Sequence, residues 1–436
     1  MLKEFKQHID QNFSFLENSK LLIAISGGID SVVLTHLIHK LGFNFSLCHC
    51  NFKLRGNDSD ADEAFVKNLG KELNTEVFTT SFETESYATE NKISIQVAAR
   101  DLRYEWFYSL VERNSFDFVL TAHNSNDNLE TFLINLTRGT GLEGLTGIPP
   151  INKKIARPLL ASSREDIEVY ASENNINWRE DQSNASSKYV RNKIRHQVIP
   201  ILKEINPSVL NTFQNTLNHL NESEEIMNDR IQELSKEALT VEGDLIKIDI
   251  SKIDELKNKK AYLYQLLHSY GFTEWNDVLD LLSAQSGKFV TSRTHRLIKD
   301  RKFLLLTSTK VDSETYFVEE NTPKILNPIH LAIETVNAKG SLVSNKNTIY
   351  LDKDLIEFPL TIRRWQKGDV FYPTGMNGKK KLSKFFKDEK YSIVEKENTW
   401  LLCSGNNILW IIGKRSDRRV LANTHTSSVI KAYITH

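Results

Sequence analysis

Cysteine is scarce. Cys48, Cys50 and Cys403 are the only three in 436 residues, too few for a disulfide framework and in keeping with a reducing compartment. No Cys-x-x-Cys pair occurs, so the usual means of carrying sulfur or holding a cluster is missing. Cys48-His49-Cys50 has the residue types of a zinc site, but alternate residues of a strand face opposite ways and His49 would point away from both thiols. Net charge is also lacking: Lys+Arg and Asp+Glu are both 56, so any case for a polyanionic partner rests on where the charges lie. No apolar run reaches the roughly 20 residues of a membrane span. The opening Met1-Leu2-Lys3-Glu4-Phe5-Lys6 begins an amphipathic helix rather than a signal core, so a cytoplasmic location without membrane contact is expected. Repeats and low-complexity tracts are absent. With 40% hydrophobic residues the chain can bury ordinary cores, and its length calls for two or three domains.

What is present centres on Leu21-Leu22-Ile23-Ala24-Ile25-Ser26-Gly27-Gly28-Ile29-Asp30-Ser31, which reads as buried strand, tight loop and helix start. Both glycines can take positive φ and expose backbone N–H groups, and the following helix aims its positive end into the same space. This is an anion site, best suited to phosphate, to which Ser26 and Ser31 add hydroxyls. Asp30 would repel phosphates unless a cation sat between them, which implies Mg2+. The loop is not of the Walker type, because no Gly-Lys-Ser/Thr follows. Cleavage between the α and β phosphates is then the expected chemistry. The alternative is an ordinary strand-to-helix turn with Asp30 as a first-turn charge.

Strands expected at residues 21–25, 44–50, 76–80 and 118–121 alternate with helices. The expected fold is α/β with a doubly wound, mostly parallel sheet, whose ligands sit beyond the carboxyl ends of the strands. A long helix is expected over residues 86–110, where Gln96, Arg100 and Arg103 share a face suited to phosphate or nucleotide contact, unless the arginines pair with Asp101 or Glu105. If the segment after the fourth strand is helical, His123, Asp127 and Glu130 project together at i, i+4 and i+7 toward the same crevice. Capping by Asp127 and Glu130 is the alternative there. Arg138-Gly139-Thr140-Gly141-Leu142-Glu143-Gly144 contains Gly-x-Gly-x-x-Gly but follows a helix. Gly139 is therefore read as a helix-terminating glycine before a flexible loop. Residues 155–160 suggest an edge strand. Residues 189–199 are helical in period, with Arg191 and Arg195 on one face beside Asn192, either solvated or facing phosphate.

A composition shift near residues 200–207 opens a mainly helical middle region, beginning with a long polar helix over 207–239. Beyond residue 313 strands and turns dominate. Between Arg363 and Lys390 nine basic residues stand against three acids, a local excess of six. A short helix there should bury Leu382, Phe385 and Phe386 and present Lys380, Lys384 and Lys387 on an exposed face suited to a phosphate backbone.

The Ser26 to Ser31 loop resembles the PP-loop of the ATP-pyrophosphatases. Together with Arg100-Asp101-Leu102-Arg103-Tyr104, His123 through Glu130-Thr131, Arg138-Gly139, Arg157-Pro158-Leu159-Leu160, Arg191-Asn192 with Arg195, and the stretches 364–369 and 379–386, the chain resembles the bacterial tRNA(Ile) lysidine synthetases over nearly its whole length. Where that family often has His-His and paired acids, this chain has His123-Asn124 and Asn126-Asp127, so only His123, Asp127 and Glu130 are carried over. The resemblance implies a PP-loop catalytic domain at 1–205, a mainly helical domain at 206–312 and a small basic α+β tRNA-binding domain at 313–436. It implies ATP and Mg2+ as cofactors, and free L-lysine and a tRNA(Ile) with a CAU anticodon as partners, with a homodimer left open. The cytosine C2 oxygen would attack the α phosphate of ATP, and the lysine ε-amine would then expel AMP. Asp30, Asp127 and Glu130 are the implied catalytic residues, with Asp30 and Asp127 toward the metal. Ser26, Gly27, Gly28, Ile29, Asp30, Ser31 and His123 would bind ATP. Arg100, Arg103, Arg138, Gly139, Arg191, Asn192, Arg195, Lys380, Lys384 and Lys387 would bind tRNA or substrate. A tRNA thiolase of the same superfamily is the competing reading.

Overall fold

The computed structural model describes residues 1–179, 190–309, 314–320, 322–336 and 342–435. The boundary expected at 312/313 therefore falls outside the described residues. The chain forms two compact units, Met1–Asn228 and Asp229–His436. No helix among the described residues is long and apolar enough to cross a membrane.

The first unit begins with α1 (Leu2–Asn12), β1 (Leu21–Ala24), α2 (Ile29–Lys40), β2 (Phe45–Asn51), α3 (Asn57–Glu72) and β3 (Val77–Ser81). It continues with α4 (Thr84–Asn91), α5 (Ile95–Asn114), β4 (Phe118–Leu120), α6 (Ser125–Arg138), α7 (Leu142–Leu145), β5 (Ile151–Asn152), β6 (Ile155–Ala156) and α8 (Arg164–Glu173). The sheet order is β3-β2-β1-β4-β6-β5. β1 pairs in parallel with both β2 and β4, so the winding reverses beside it and a crevice opens beyond the ends of β1 and β4. β1 is apolar throughout because both its faces are covered. Leu21 and Ile23 pack with Val32, Val33 and Leu37 of α2, while Leu22 packs with Phe107, Leu110 and Val119 on the other side. The doubly wound sheet thus forms as expected.

Two local expectations are corrected. The helix expected over 86–110 is broken: Lys92 takes φ 53° after α4, and Ser94 restarts the chain as the N-cap of α5 by accepting the Val97 N–H. Residues 155–160 make only the two-residue β6, which lies inside the sheet between β4 and β5. Pro158 then opens a short 3₁₀ turn, since it has no N–H to continue a ladder. Residues 190–199 are helical as the period suggests, with a π turn at Ile194–Val198 between Val190–Lys193 and Ile199–Ile205.

A continuous helix, Val209–Ala238, occupies the long polar stretch. In the second unit, three short helices, Ile250–Asp254, Lys259–Leu267 and Trp275–Asp280, pack on a five-stranded antiparallel sheet that runs from Leu239–Glu242 to Phe303–Ser308. Buried Ile248, Leu263, Leu297 and Leu304 form the shared core. The mainly helical middle region therefore carries a five-stranded sheet as well as its helices. The C-terminal part holds antiparallel sheets of five and four strands around Leu402, Trp410 and Ile430. It packs on the middle part through Val394 against Ile298 and Leu305, and through an ion pair of Arg296 with Glu397.

Candidate active site

The loop after β1 is held in shape by its own serines. Gly27 takes φ 92°, while Gly28 has φ −73° and caps α2, so only the first glycine uses the left-handed region. Ser31 Oγ donates to the Gly28 carbonyl at 2.8 Å and accepts the Ser26 N–H at 3.2 Å. Ser26 Oγ accepts the Gly28 N–H at 3.3 Å. Neighbouring elements brace the backbone from behind. The Gly27 carbonyl accepts the Arg179 N–H at 2.9 Å, and the Ile25 carbonyl lies 2.9 Å from Nδ1 of buried His49. Arg179 Nε pairs with buried Asp62, whose other oxygen takes Arg55 Nη2 at 2.6 Å. Nothing in the sequence pattern marks Asp62, yet it ties three segments to the loop. Asp62→Asn is expected to raise KM for ATP about tenfold with kcat within about twofold, since a displaced loop weakens ground-state and transition-state binding alike. Steady-state ATP titrations check this.

Three helix N-termini meet at Asp30, in the first turn of α2. Asn124, the N-cap of α6, donates from Nδ2 to Asp30 Oδ1 at 3.0 Å. Arg164, the first residue of α8, places Nη1 2.5 Å from Asp30 Oδ2. The two outer helices are also tied directly: the Arg164 N–H donates to Asn126 Oδ1 at 3.0 Å, and the Ser125 N–H to the Ser162 carbonyl at 2.9 Å. Converging helix N-termini favour negative charge between them. Burial raises the Asp30 pKa and nearby Asp127 adds to this, while Arg164 and Asn124 oppose it.

The capping box of α6 is Asn124 with Asp127, not Asp127 with Glu130. Asn124 Oδ1 accepts the N–H groups of Asn126 and Asp127, and Asp127 Oδ2 accepts the Asn124 N–H at 3.1 Å. Because the helix starts at Ser125, His123 stands before it, with Nδ1 3.0 Å from Thr121 Oγ1, and the expected i, i+4, i+7 array does not include it. Asp127 and Glu130 do share a face. Glu130 has a wholly buried side chain, held by Arg191 Nε at 2.8 Å and Arg195 Nε at 2.5 Å. Arg195 Nη2 also reaches Asp127 Oδ1 at 3.2 Å, and Asp127 retains 19% exposure. The two arginines keep 42% and 36% exposure, so their inner edges serve the carboxylates while their outer edges face solvent. Asn192 lies between them, half-buried.

A basic wall completes the site. Burial, together with the charges of Arg157, Arg191, Arg103 and Arg100, pushes the His123 pKa down to about 3. Arg157 is buried, donates from Nη1 to the Pro149 carbonyl at 2.7 Å and leaves Nε without a partner. Gln96, Arg100 and Arg103 are exposed on α5, where Arg100 lies over the Tyr104 ring and Arg103 over the Phe52 ring rather than against Asp101 or Glu105. His123 is therefore neutral across the working pH range. Its native pKa lies below the unfolded value of about 6.5, so the unfolded chain binds the extra proton and stability falls as pH drops from 6.5 toward 3. At pH 5 this loss amounts to about 2 kcal/mol. Denaturant midpoints at pH 7 and pH 5 should show a smaller acid-side loss in His123→Gln than in wild type.

Arg138 ends α6 exposed, and Gly139, at φ 74°, terminates it as expected. The glycine-rich segment beyond is not a free tether. It contains α7 and is bound back to α6 through Asn135 Nδ2 to the Gly144 carbonyl at 2.8 Å and the Ile148 N–H to Asn128 Oδ1 at 2.7 Å.

In the second unit, the helix Leu382–Asp388 buries Leu382, Phe385 and Phe386 and exposes Lys384 and Lys387. Lys380 does not join them: it lies on a short strand and pairs with Asp388 at 2.8 Å. Arg363 is likewise engaged, by both oxygens of Asp369.

A doubly wound sheet with a Ser-Gly-Gly-Ile-Asp-Ser loop at its reversal point, and no Walker lysine, defines an ATP-using enzyme of the PP-loop class. A family model described as "PP-loop domain" matches residues 1–202, and models described as "TilS substrate binding domain" and "TilS substrate C-terminal domain" match 241–310 and 360–431. The chain is 39% identical over 99% of both chains to a tRNA(Ile)-lysidine synthase of Parabacteroides distasonis, and 40% identical over 97% of both to that of Bacteroides thetaiotaomicron. It belongs to the tRNA(Ile)-lysidine synthase family. Among solved structures it is similar to a U34-tRNA thiolase of Methanococcus maripaludis, at 20% identity over 50% of this chain and 79% of that one with a TM-score of 0.41.

Proposed function

We propose that the first unit adenylylates the wobble cytidine of a tRNA(Ile) with a CAU anticodon and then joins free L-lysine to its C2 through the ε-amine, releasing pyrophosphate and AMP. The observation that carries this reading is the meeting of Asp30, Asn124 and Arg164 at the end of β1, beside the Asp127 and Glu130 pair. The loop N–H groups, the three helix ends and the arginine wall of Arg100, Arg103 and Arg157 supply positive potential for a triphosphate and an RNA backbone. Oxygen donors suit Mg2+, which commonly binds one or two carboxylates plus substrate phosphates. Asp30 and Asp127 would hold it, and when bound it offsets charge on the departing pyrophosphate.

The two acids differ in what they can do. Glu130, buried and tied to two arginines, orients Arg191 and Arg195. Asp127 is partly exposed, so of the two it is the one an incoming ligand can reach. The thiols fit a thiolase poorly: burial pushes Cys50 up to about 12 and Cys403 up to about 11, with Cys48 well above its ordinary value. We place catalysis in residues 1–205 and the grip on tRNA in residues 313–436 of a cytoplasmic enzyme, with residues 206–312 between them and assembly as a homodimer open to test.

The test is incubation with ATP, labelled lysine and candidate tRNAs. Label in tRNA(Ile), with AMP and pyrophosphate in equal amounts, is the expected result, whereas ADP and phosphate would overturn it. For the C-terminal face, Lys384→Ala with Lys387→Ala should weaken all tRNAs alike and reduce the slope of log affinity against log salt by roughly 0.7 to 0.9 for each phosphate no longer neutralised. A salt titration of tRNA binding checks this, with ATP binding unchanged.

A further inference from the structure

We propose that Arg164 occupies the cation position of Asp30 in the nucleotide-free enzyme, so that divalent metal binds only when it arrives with the triphosphate. This rests on the assignment of Asp30 as a metal ligand. A half-buried carboxylate at the meeting of three helices needs a positive partner, and Arg164 Nη1 supplies it at 2.5 Å, across 134 positions of sequence. The second oxygen is held by Asn124 Nδ2, so each carboxylate oxygen already has a donor. Arg164 can leave without breaking the fold. Its side chain is 39% exposed, and its Nε has a second carboxylate, Glu168 Oε1, at 2.8 Å one turn along α8. Its backbone stays fixed through the Asn126 hydrogen bond. Only the guanidinium therefore has to swing, between Asp30 and a position where Glu168 and the incoming phosphates share it.

A bare divalent cation has to displace this guanidinium from Asp30 with nothing offered in return. A metal–triphosphate complex offers the displaced arginine a new anion, and the exchange becomes favourable. Metal and nucleotide binding are then coupled through one side chain, and unproductive loading of the site by metal alone is suppressed.

The test is Mn2+ binding followed by electron paramagnetic resonance, with the full chain in four forms: wild type, Arg164→Gln, Asp30→Asn, and the double variant. Without nucleotide, Arg164→Gln should bind Mn2+ at least about tenfold more tightly than wild type, the scale of one ion pair removed at a partly buried site. The double variant should lose that gain. Equal Mn2+ affinity in wild type and Arg164→Gln would overturn the proposal. A gain in Arg164→Gln that survives in the double variant would also overturn it, by placing the metal elsewhere. The parent assignment is read separately: with ATP present, Asp30→Asn should bind Mn2+ more weakly than wild type. Glu168→Gln provides a further check, because a guanidinium deprived of its second partner should stay on Asp30 and weaken Mn2+ binding in the presence of ATP.

Discussion

Glu130→Gln is expected to cost the enzyme at least about a hundredfold in lysidine formation and roughly 2 to 4 kcal/mol in stability, because it leaves two guanidinium groups facing a neutral amide in a buried position. The stability figure sits near the low end for a broken buried pair, since Arg191 and Arg195 are partly solvated. Combining Glu130→Gln with Arg195→Gln should restore part of the stability by removing one stranded charge, yet should not restore turnover. Chemical denaturation of the single and double variants checks the first half. Trapping of adenylylated tRNA by Glu130→Gln would place its defect in the lysine step. Normal kinetics would instead make Glu130 a purely structural residue.

Asp30→Ala is expected to abolish turnover, by about a thousandfold or more, through loss of the carboxylate that meets the metal and phosphates. Folding should survive: the partners it strands are Arg164, which keeps Glu168, and Asn124, which keeps its capping bonds. Pyrophosphate release at saturating ATP and tRNA measures the loss, and a melting temperature within a few degrees of wild type shows that it is local. Retention of most activity at limiting Mg2+ would remove Asp30 from the chemistry.

The parts of this architecture readable from sequence are those set by local pattern. β1, the Ser26 to Ser31 loop and α2 follow from an apolar run, two glycines and a helical period within about twenty residues. The buried face of Leu382, Phe385 and Phe386 follows from helical spacing in the same way. What escapes depends on tertiary pairing. Arg164 and Asp62 look like ordinary surface charges until folding brings them to Asp30 and Arg179. Helical spacing puts Lys380 on an exposed face, because spacing alone cannot register that Asp388 turns back to hold it. The break after α4 escapes for a different reason. Lys92 is a good helix former, and nothing in its own chemistry announces a left-handed turn.

Asn124 performs two tasks with one side chain. Its carbonyl oxygen closes the first turn of α6 while its amide nitrogen steadies Asp30, so one side chain serves as both acceptor and donor on separate atoms. Aspartate would cap the helix equally well but would set a second negative charge against Asp30. Serine would cap it too, with a side chain one atom shorter and a single oxygen to share between both tasks. A histidine, which the related synthetases often carry here, could donate to Asp30 but would leave the Asn126 and Asp127 N–H groups to another acceptor. In this chain the start of α6 and the hold on Asp30 are thus coupled through one amide, and a substitution here disturbs both at once.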